Sequence, residues 1–305
     1  MLPIFPNFKK LELTDRKDIE SYTSQHDPYS DFNFTSLWVW DVTKERMISE
    51  LNGNLVVRFT DYATHDAFLS FLGKNKPTET ARKLIEFAKE TGINSTLGLI
   101  PEECIKEIKN EDFIIEEDRD NFDYIISTEK LAELNGYDFK SKRHLAEKFI
   151  KNNPEAIFLV KELRDINDVK QKIISAFHKW DNNKKLSNKT SEIEHEKMAI
   201  GRLLETMENH DLILACVFIK EEMIGFSIDE KLHSGYTISH FTKADILYTG
   251  VYDFLNRELA RYLLKNKKTL WNWEQDLGLM SIRKSKMSYR PTNFLKKYKV
   301  SLNEK

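Results

Sequence analysis

The stretch from residue 270 to residue 290 brings together carboxylates and cations whose spacing suits acyl transfer. A short apolar run over 270–273 predicts a strand, so Glu274 and Asp276 follow its carboxyl end, where open α/β sheets usually carry their sites. On the helix predicted over 279–287, Arg283 and Lys286 are three residues apart and point to one side. The carboxylates suit orientation or deprotonation of an amine nucleophile, and the cations suit a phosphate or a developing oxyanion.

The same four side chains also suit plain ion pairing, so a structural role stays open at this point. Other nucleophiles are less well placed. Ser285 lacks the strand-to-helix elbow of a hydrolase, and neither Cys104 nor Cys216 has neighbours that would activate a thiol. No HExxH or CxxC spacing predicts a metal site. We therefore expect direct attack by the acceptor, without a metal or a covalent enzyme intermediate.

Two further polar residues lie inside predicted elements of the second half. His240 falls in a strand predicted over 236–242, as either a general base or a hydrogen-bonded core histidine. Asn256 falls in a helix predicted over 250–265, where an asparagine is otherwise unfavourable. It could hydrogen-bond a carrier molecule or hold the helix to the sheet, and the sequence leaves both roles open.

A basic segment lies near the middle of the chain, on a helix predicted over 140–152. Its members are Lys140, Lys142, Arg143, His144, Lys148 and Lys151. Phosphate contacts of a polyanionic carrier, above all tRNA, would use such a patch in a salt-sensitive way. The alternative is a solvated linker helix, which is what most charge runs are.

The elements that position these residues follow the same order in both halves of the chain. In the first half, helices and strands surround the Asn52-Gly53 hairpin signal, and the strands over 113–117 and 121–127 are predicted to pair. In the second half, helices over 168–180 and 191–209 flank a polar loop over 181–189, and strands over 214–219 and 223–230 form a hairpin. Each half therefore runs helix, hairpin, strand, helix, strand, helix, strand, which favours two similar α/β units.

This order, with four local motifs, resembles the GNAT acyltransferases, and two such units in one chain resemble the Fem-type aminoacyl-tRNA-dependent transferases. The nearest resemblance is to the soluble family related to the C-terminal domain of phosphatidylglycerol lysyltransferases. The motifs are Lys140-Ser141-Lys142-Arg143-His144, Ser239-His240-Phe241-Thr242-Lys243-Ala244-Asp245, Tyr252-Asp253-Phe254-Leu255-Asn256-Arg257-Glu258 and the segment from Trp273 to Pro291. The resemblance implies a mixed α/β (α+β) fold of two tandem GNAT-like units, over 1–139 and 156–305, joined by a basic linker helix over 140–155.

One departure concerns the carrier. Acetyl-CoA-dependent members have a glycine-rich pyrophosphate loop before the long helix, whereas residues 246–252 contain a single glycine, Gly250, and two tyrosines. Gly250 still permits one tight turn at the helix start. The crowded loop lowers the expectation of ordinary acetyl-CoA use and leaves room for aminoacyl-tRNA or an acyl carrier.

The resemblance implies transfer of an acyl or aminoacyl group from a carrier to an amine or hydroxyl acceptor. On that basis Glu274, Asp276 and His240 are the expected catalytic residues, and Trp38 and Trp40 of the first unit are expected to contact the acceptor. Binding of the carrier or of the oxyanion is expected from Arg283, Lys286, Tyr289, Asn256, Gly250, Lys142 and Arg143. The alternatives are a non-catalytic scaffold that binds a nucleotide, lipid headgroup or protein, and an acetyl-CoA-dependent N-acetyltransferase.

Composition sets the limits of these expectations. The formal net charge is −2 and the pI is near 6.5, which excludes a generally basic nucleic-acid coat. No apolar run reaches membrane-helix length, and two separated cysteines indicate a reducing compartment. We expect a cytoplasmic protein without DNA binding or tightly held cofactor, whose acceptor is a small molecule, a peptide or a lipid headgroup.

Overall fold

The computed structural model describes residues 1–61, 64, 66–106, 108, 112–163, 169–185, 191–233 and 235–303. The helices are α1 (Arg16–Thr23), α2 (Phe34–Val39), α3 (Pro77–Thr91), α4 (Glu102–Ile105), α5 (Thr128–Glu133), α6 (Lys140–Asn152), α7 (Val169–Lys185), α8 (Ser191–Glu205), α9 (Val251–Lys265) and α10 (Met280–Met287). The strands are β1 (Lys9–Lys10), β2 (Met47–Leu51), β3 (Asn54–Thr60), β4 (Ala67–Leu72), β5 (Leu97–Pro101), β6 (Phe113–Glu117), β7 (Asp123–Ser127), β8 (Ile157–Glu162), β9 (Leu212–Ile219), β10 (Glu222–Lys231), β11 (Tyr236–Ala244), β12 (Leu270–Asn272), β13 (Asn293–Leu295) and β14 (Lys297–Leu302). The predicted mixed α/β class is confirmed.

The chain forms two compact units that differ in their bounds from the predicted ones. Unit 1 comprises residues 1–123, 275–280 and 294–305, and unit 2 comprises residues 124–274 and 281–293. Strand β7 explains part of the difference, because Ile125 pairs with Asn272 of β12 and so belongs with the second half. The predicted linker helix is α6, which packs inside unit 2 through a ring contact of 4.8 Å between Phe149 and Phe254.

Unit 1 contains two antiparallel sheets. The first has the order β1-β2-β3-β4, and its β2–β3 hairpin turns at Asn52 and Gly53, both with positive φ, as the Asn-Gly signal predicts. The second has the order β5-β14-β6. Helix α3 ends at Gly92, whose φ of 71° provides the left-handed cap expected of a glycine.

The predicted pairing of 113–117 with 121–127 is wrong. Strand β6 pairs instead with β14 near the C-terminus, with Ile115 opposite Val300, and β7 pairs with β12. The partners lie more than a hundred residues away in sequence, so local pattern carries no information about them. The single strand predicted over 294–300 is also wrong, because it is divided into β13 and β14.

A buried lysine holds the C-terminal strand within unit 1. Lys297 of β14 is fully buried, and its ammonium pairs with Asp31 and, at 2.7 Å, with Asp123. Burial by itself lowers the pKa of Lys297, but the two carboxylates outweigh that effect and raise it. Gln275 joins the same cluster through Ser30, at 2.8 Å, which fixes the segment 275–280 in this unit.

Unit 2 is built on strands in the order β7-β12-β11-β10-β9-β8. Strands β8 to β11 are successively antiparallel, and β12 lies parallel to β11 after the crossover helix α9. Apolar side chains of α9 pack on the sheet, because Leu255, Leu259 and Leu263 recur at helical spacing and are fully buried beside Trp271. The predicted hairpin, third strand, long helix and following strand are all present.

The remaining differences are local. Of the strand predicted over 8–13, only β1 forms. Strand β8 and helix α5 were not predicted, and the predicted loop over 181–189 begins inside α7, with 186–189 outside the described residues. Within the described ranges, no helix combines the length and apolarity needed to cross a bilayer.

Candidate active site

The candidate site lies in unit 2, where strands β11 and β12 part. Their parallel pairing ends with Ile238 opposite Asn272. Beyond that pair, β11 continues to Ala244, whereas β12 has ended. Glu274 therefore follows the carboxyl end of β12, as the sequence predicts, and His240 lies just past the last residue pair that β11 shares with β12.

His240 lies between two carboxylates. Its Nε2 is 3.2 Å from Oε2 of Glu230, and its Nδ1 is 3.4 Å from Oε1 of Glu274. The side chains of His240 and Glu230 are almost completely buried, whereas that of Glu274 is 16% exposed. Glu274 is thus the member of this row of three that reaches solvent.

The environment of His240 favours its charged form. Burial by itself lowers the pKa of His240, but the hydrogen bonds to Glu230 and Glu274 outweigh burial and raise the pKa to about 9. At neutral pH the ring is an imidazolium that donates from both nitrogens. In this form the ring has no free acceptor nitrogen, and its Nδ1 holds the Glu274 carboxylate at 3.4 Å. A catalytic role for His240 stays a prediction.

The backbone at Glu274 adopts a left-handed conformation, with φ of 53°. This conformation costs a non-glycine residue roughly 1–2 kcal/mol and is found at functional sites. Two hydrogen bonds maintain it: the Glu274 N–H donates to Oδ1 of Asn272 at 2.7 Å, and the Tyr124 N–H donates to the Glu274 carbonyl at 3.2 Å. The carboxylate is therefore aimed by a fixed, strained turn.

A second buried carboxylate lies beside the first group. Asp229 accepts hydrogen bonds from Ser227 Oγ at 2.7 Å and from the Trp271 indole at 2.9 Å. Complete burial raises the pKa of Asp229 to about 7, although these donors and the charge of His240 act in the opposite direction. A bulge in the β10–β11 pairing between Ile228 and Asp229 brings two consecutive acidic residues inside the sheet.

The structure separates the two carboxylates that the sequence analysis grouped. Asp276 belongs to unit 1, is fully buried, and accepts the Gly278 N–H at 2.9 Å while its other oxygen lies 3.4 Å from Arg119. These contacts close a tight turn. These contacts give Asp276 a structural role, and a catalytic role for Glu274 stays a prediction.

The predicted carrier-binding cations on α10 differ in their surroundings. Lys286 donates to the Trp273 carbonyl at 2.5 Å, which ties α10 to the residue before Glu274. Arg283 is half-buried on the same helix. Tyr289 is buried and donates to Oδ1 of Asp253 at 2.8 Å, and burial raises its pKa well above the ordinary value. Tyr289 thus packs the core instead of facing a ligand.

Three other predicted carrier-binding residues are also engaged internally. Lys142 lies 3.3 Å from Asp253 and 3.8 Å from the centre of the Tyr289 ring. Arg143 donates to the carbonyls of Leu134 and Gly136. Asn256 is buried and hydrogen-bonds Tyr289, which corresponds to the packing role left open above.

Gly250 precedes α9 with φ of 88°, as a tight turn requires. A Cβ at this position would lie 2.1 Å from the Leu145 carbonyl oxygen and 3.3 Å from the Phe149 side chain. The close approach of α6 therefore accounts for the glycine, without any phosphate.

Gly250→Ala is expected to lower the free energy of unfolding by about 2–4 kcal/mol, because the methyl group must displace a backbone carbonyl and the left-handed conformation is strained. Chemical denaturation measures the loss. Gly136→Ala is the matched control, since Gly136 has φ of 81° and nothing within 4 Å of its Cβ position. We expect a loss of about 1–2 kcal/mol there, from backbone strain alone. Equal losses would contradict the packing argument.

The predicted acceptor residues lie in unit 1. Trp38 is half-buried on α2, and Trp40 caps that helix by donating its N–H to the Ser36 carbonyl at 3.1 Å. Their contact with an acceptor stays a prediction.

Both cysteines are buried, and burial raises the pKa of each thiol to about 12, so neither is an activated nucleophile. The part of the chain that the structure describes holds no cluster of three His, Cys, Asp or Glu arranged for a metal ion.

The sequence did not predict a place in the site for Asp229, Glu230 or Asn272. A signal for the first two was present, because a strand of alternating faces cannot expose two consecutive acids when it runs through the middle of a sheet. One of them must be buried, and a buried carboxylate requires partners. No sequence pattern marks Asn272, because its hydrogen bond with the Glu274 N–H depends on the turn after β12.

The chain is similar to known proteins in both sequence and structure. The family model for phosphatidylglycerol lysyltransferase, C-terminal, matches residues 23–301. The uncharacterized protein MYCGA3080 of Mycoplasmoides gallisepticum is 26% identical over 190 residues, covering 62% of this chain and 58% of that protein. The match therefore takes in little more than half the length of that curated relative.

Two solved structures share the fold over nearly the whole chain. A conserved protein of unknown function from Bacteroides thetaiotaomicron has a TM-score of 0.85 at 25% identity and covers 99% of this chain and 100% of its own. L-PGS from Bacillus licheniformis has a TM-score of 0.63 at 12% identity, over 94% of this chain and 91% of its own. At 12% identity the second likeness concerns the fold alone.

Proposed function

The chain belongs to the family of phosphatidylglycerol lysyltransferase C-terminal domains, and from this premise we propose that it transfers an aminoacyl or acyl group from a carrier to an acceptor. The proposed site is the Glu274 carboxylate, held by His240 and Glu230. The acceptor is a hydroxyl or an amine, and attack is direct, without a covalent enzyme intermediate.

The observation that supports this proposal best is the row Glu230–His240–Glu274. A purely structural ion pair would not need a strained backbone at its exposed end, yet Glu274 has φ of 53°. A buried imidazolium between two carboxylates orients the outer one at a fixed position. Such preorganisation is what a general base requires.

The proposed step is a substitution at the carbonyl carbon of the aminoacyl or acyl donor. The acceptor oxygen or nitrogen forms a bond to the carbonyl carbon of the aminoacyl or acyl ester, and Glu274 takes the proton of the acceptor. The bond from that carbon to the carrier oxygen or sulfur breaks, and the proton passes to the leaving group. Arg283, on α10, is the cation we assign to the carrier phosphate or to the oxyanion of the tetrahedral intermediate.

The charge of the site favours a cationic aminoacyl group. Within the row, the two carboxylates of Glu230 and Glu274 face the single positive charge of His240, so the row itself carries a net negative charge. An aminoacyl ester carries an ammonium group, whereas an acetyl group carries none. The family name, phosphatidylglycerol lysyltransferase, makes a lysyl donor and a phosphatidylglycerol acceptor the first substrates to test.

The test is a transfer assay with the full chain. We expect label from lysyl-tRNA to appear in phosphatidylglycerol vesicles faster than without protein, and label from acetyl-CoA to reach a panel of amines no faster than background. Binding of lysyl-tRNA without any transfer would support the non-catalytic scaffold. Transfer from acetyl-CoA but not from lysyl-tRNA would contradict the proposal and indicate an N-acetyltransferase.

A further inference from the structure

We propose that the outer face of α6 and the loop after β11 form a docking surface for an anionic lipid bilayer. The docking surface consists of Ile246, Leu247, Lys140, His144, Lys148 and Lys151. All six belong to unit 2. The inference rests on the proposed function only in its choice of a lipid acceptor.

The apolar part of the docking surface is unusually exposed and held in place. Leu247 is 74% exposed and Ile246 is 57% exposed. The loop is nevertheless ordered, because Asp245 accepts the Leu247 N–H on its side chain at 3.0 Å and the Tyr248 N–H on its carbonyl at 3.1 Å. Two adjacent aliphatic side chains are thus exposed to solvent on a hydrogen-bonded turn.

The cationic part is a stripe on α6. Lys140, His144, Lys148 and Lys151 recur at helical spacing on the exposed face. Glu147 is the acidic residue exposed among them, so three lysines stand against one carboxylate. Lys142 and Arg143 do not belong to this stripe, because both are engaged internally.

The two parts are neighbours. The Leu145 carbonyl of α6 and the Gly250 backbone are in such close contact that no Cβ fits between them. Leu247 is three residues from Gly250, or at most about 11 Å along the chain. Aliphatic side chains beside lysines are the pattern of a surface that inserts shallowly and binds anionic headgroups.

The docking surface also lies at the end of the sheet that carries the candidate site. The loop begins directly after Ala244, four residues beyond His240 on the same strand. A lipid whose headgroup reacts at Glu274 must be presented at this end. RNA explains the surface less well, because phosphate contacts would use the lysines but leave Ile246 and Leu247 in water, whereas a bilayer interface buries them.

The experiment is co-sedimentation of the full chain with vesicles, without any donor. We expect binding to vesicles of mixed phosphatidylglycerol and phosphatidylcholine, and little binding to phosphatidylcholine alone. The double variant Lys148→Gln, Lys151→Gln should weaken binding about 30-fold. The double variant Ile246→Ser, Leu247→Ser should weaken it about tenfold or more.

Matched controls lie in unit 1. Ile114→Ser, at a side chain 46% exposed, and the double variant Lys10→Gln, Lys17→Gln should bind vesicles as the wild type does. Failure of the wild type to bind anionic vesicles, or binding that both surface variants retain, would overturn the proposal. The proposal would also be overturned if the wild type did not bind vesicles but bound tRNA, and the lysine variant lost that tRNA binding.

This outcome is separable from the outcome for the proposed function. Glu274→Gln should bind vesicles normally, because Glu274 is not part of the docking surface. Vesicle binding without transfer would contradict the transferase proposal and leave the docking surface standing. Transfer to a water-soluble glycerol phosphate headgroup without vesicle binding would contradict the docking surface alone.

Discussion

Glu274→Gln is expected to lower kcat/KM for transfer by about 10²–10⁴-fold, the usual contribution of a positioned general base. Glutamine keeps the shape of the side chain and can still accept a hydrogen bond from His240, but it cannot take the proton of the acceptor. The side chain is partly exposed and the backbone turn is unchanged. We therefore expect only a small fall in melting temperature, because Glu230 still pairs with the His240 imidazolium.

Two variants frame this result. Glu90→Gln changes an exposed carboxylate on α3 of unit 1 and should leave transfer unchanged. Asp276→Asn removes the buried partner of Arg119, so we expect a lower melting temperature with much smaller loss of kcat per folded molecule. If Asp276→Asn abolished transfer in a stable protein while Glu274→Gln did not, the roles assigned to the two carboxylates would be reversed.

Much of unit 2 was predictable because its elements are set by local patterns. The strands around the 220–222 turn are near-continuous buried runs, and α9 carries leucines at helical spacing. The crossover from β11 through α9 to a parallel β12 then follows from chain order. Pairings such as β6 with β14 depend on contacts between distant segments, and no local pattern encodes them.

The candidate site was predictable in part for the same reason. Glu274 follows from the end of a strand and His240 from a place within one, and local patterns reveal both. Glu230 became visible only when the register of β10 against β11 was known, because a bulge at Asp229 decides which acid faces His240. The separation of Asp276 from Glu274 depends on Gln275, whose contact with Ser30 spans most of the chain.

The stability of the protein should depend on pH through His240. Its pKa in the native state is about 9, above its ordinary value of 6.5, so the native state holds a proton that the unfolded chain releases. The stabilisation is fully present below about pH 6.5 and is lost as pH rises through about 9. We expect the free energy of unfolding to fall by on the order of 3 kcal/mol across this window. The pKa of Asp229 is also raised, to about 7, so the free energy of unfolding should fall in addition as pH rises from about 4 to 7. This pH range is separate from that of His240.

His240→Gln isolates the contribution of the imidazolium. The variant leaves Glu230 buried at 3% exposure without its cation, and breaking such a pair costs roughly 3–5 kcal/mol at neutral pH. Because glutamine does not titrate, the fall between pH 6.5 and 9 should disappear in the variant. His178→Gln, at an exposed histidine on α7, should keep the wild-type profile. Denaturant titrations of the three proteins at several pH values measure how the free energy of unfolding changes with pH. A wild-type free energy that stays constant from pH 6.5 to 9 would mean that His240 is neutral in the folded protein. Glu274 would then not be held by an imidazolium.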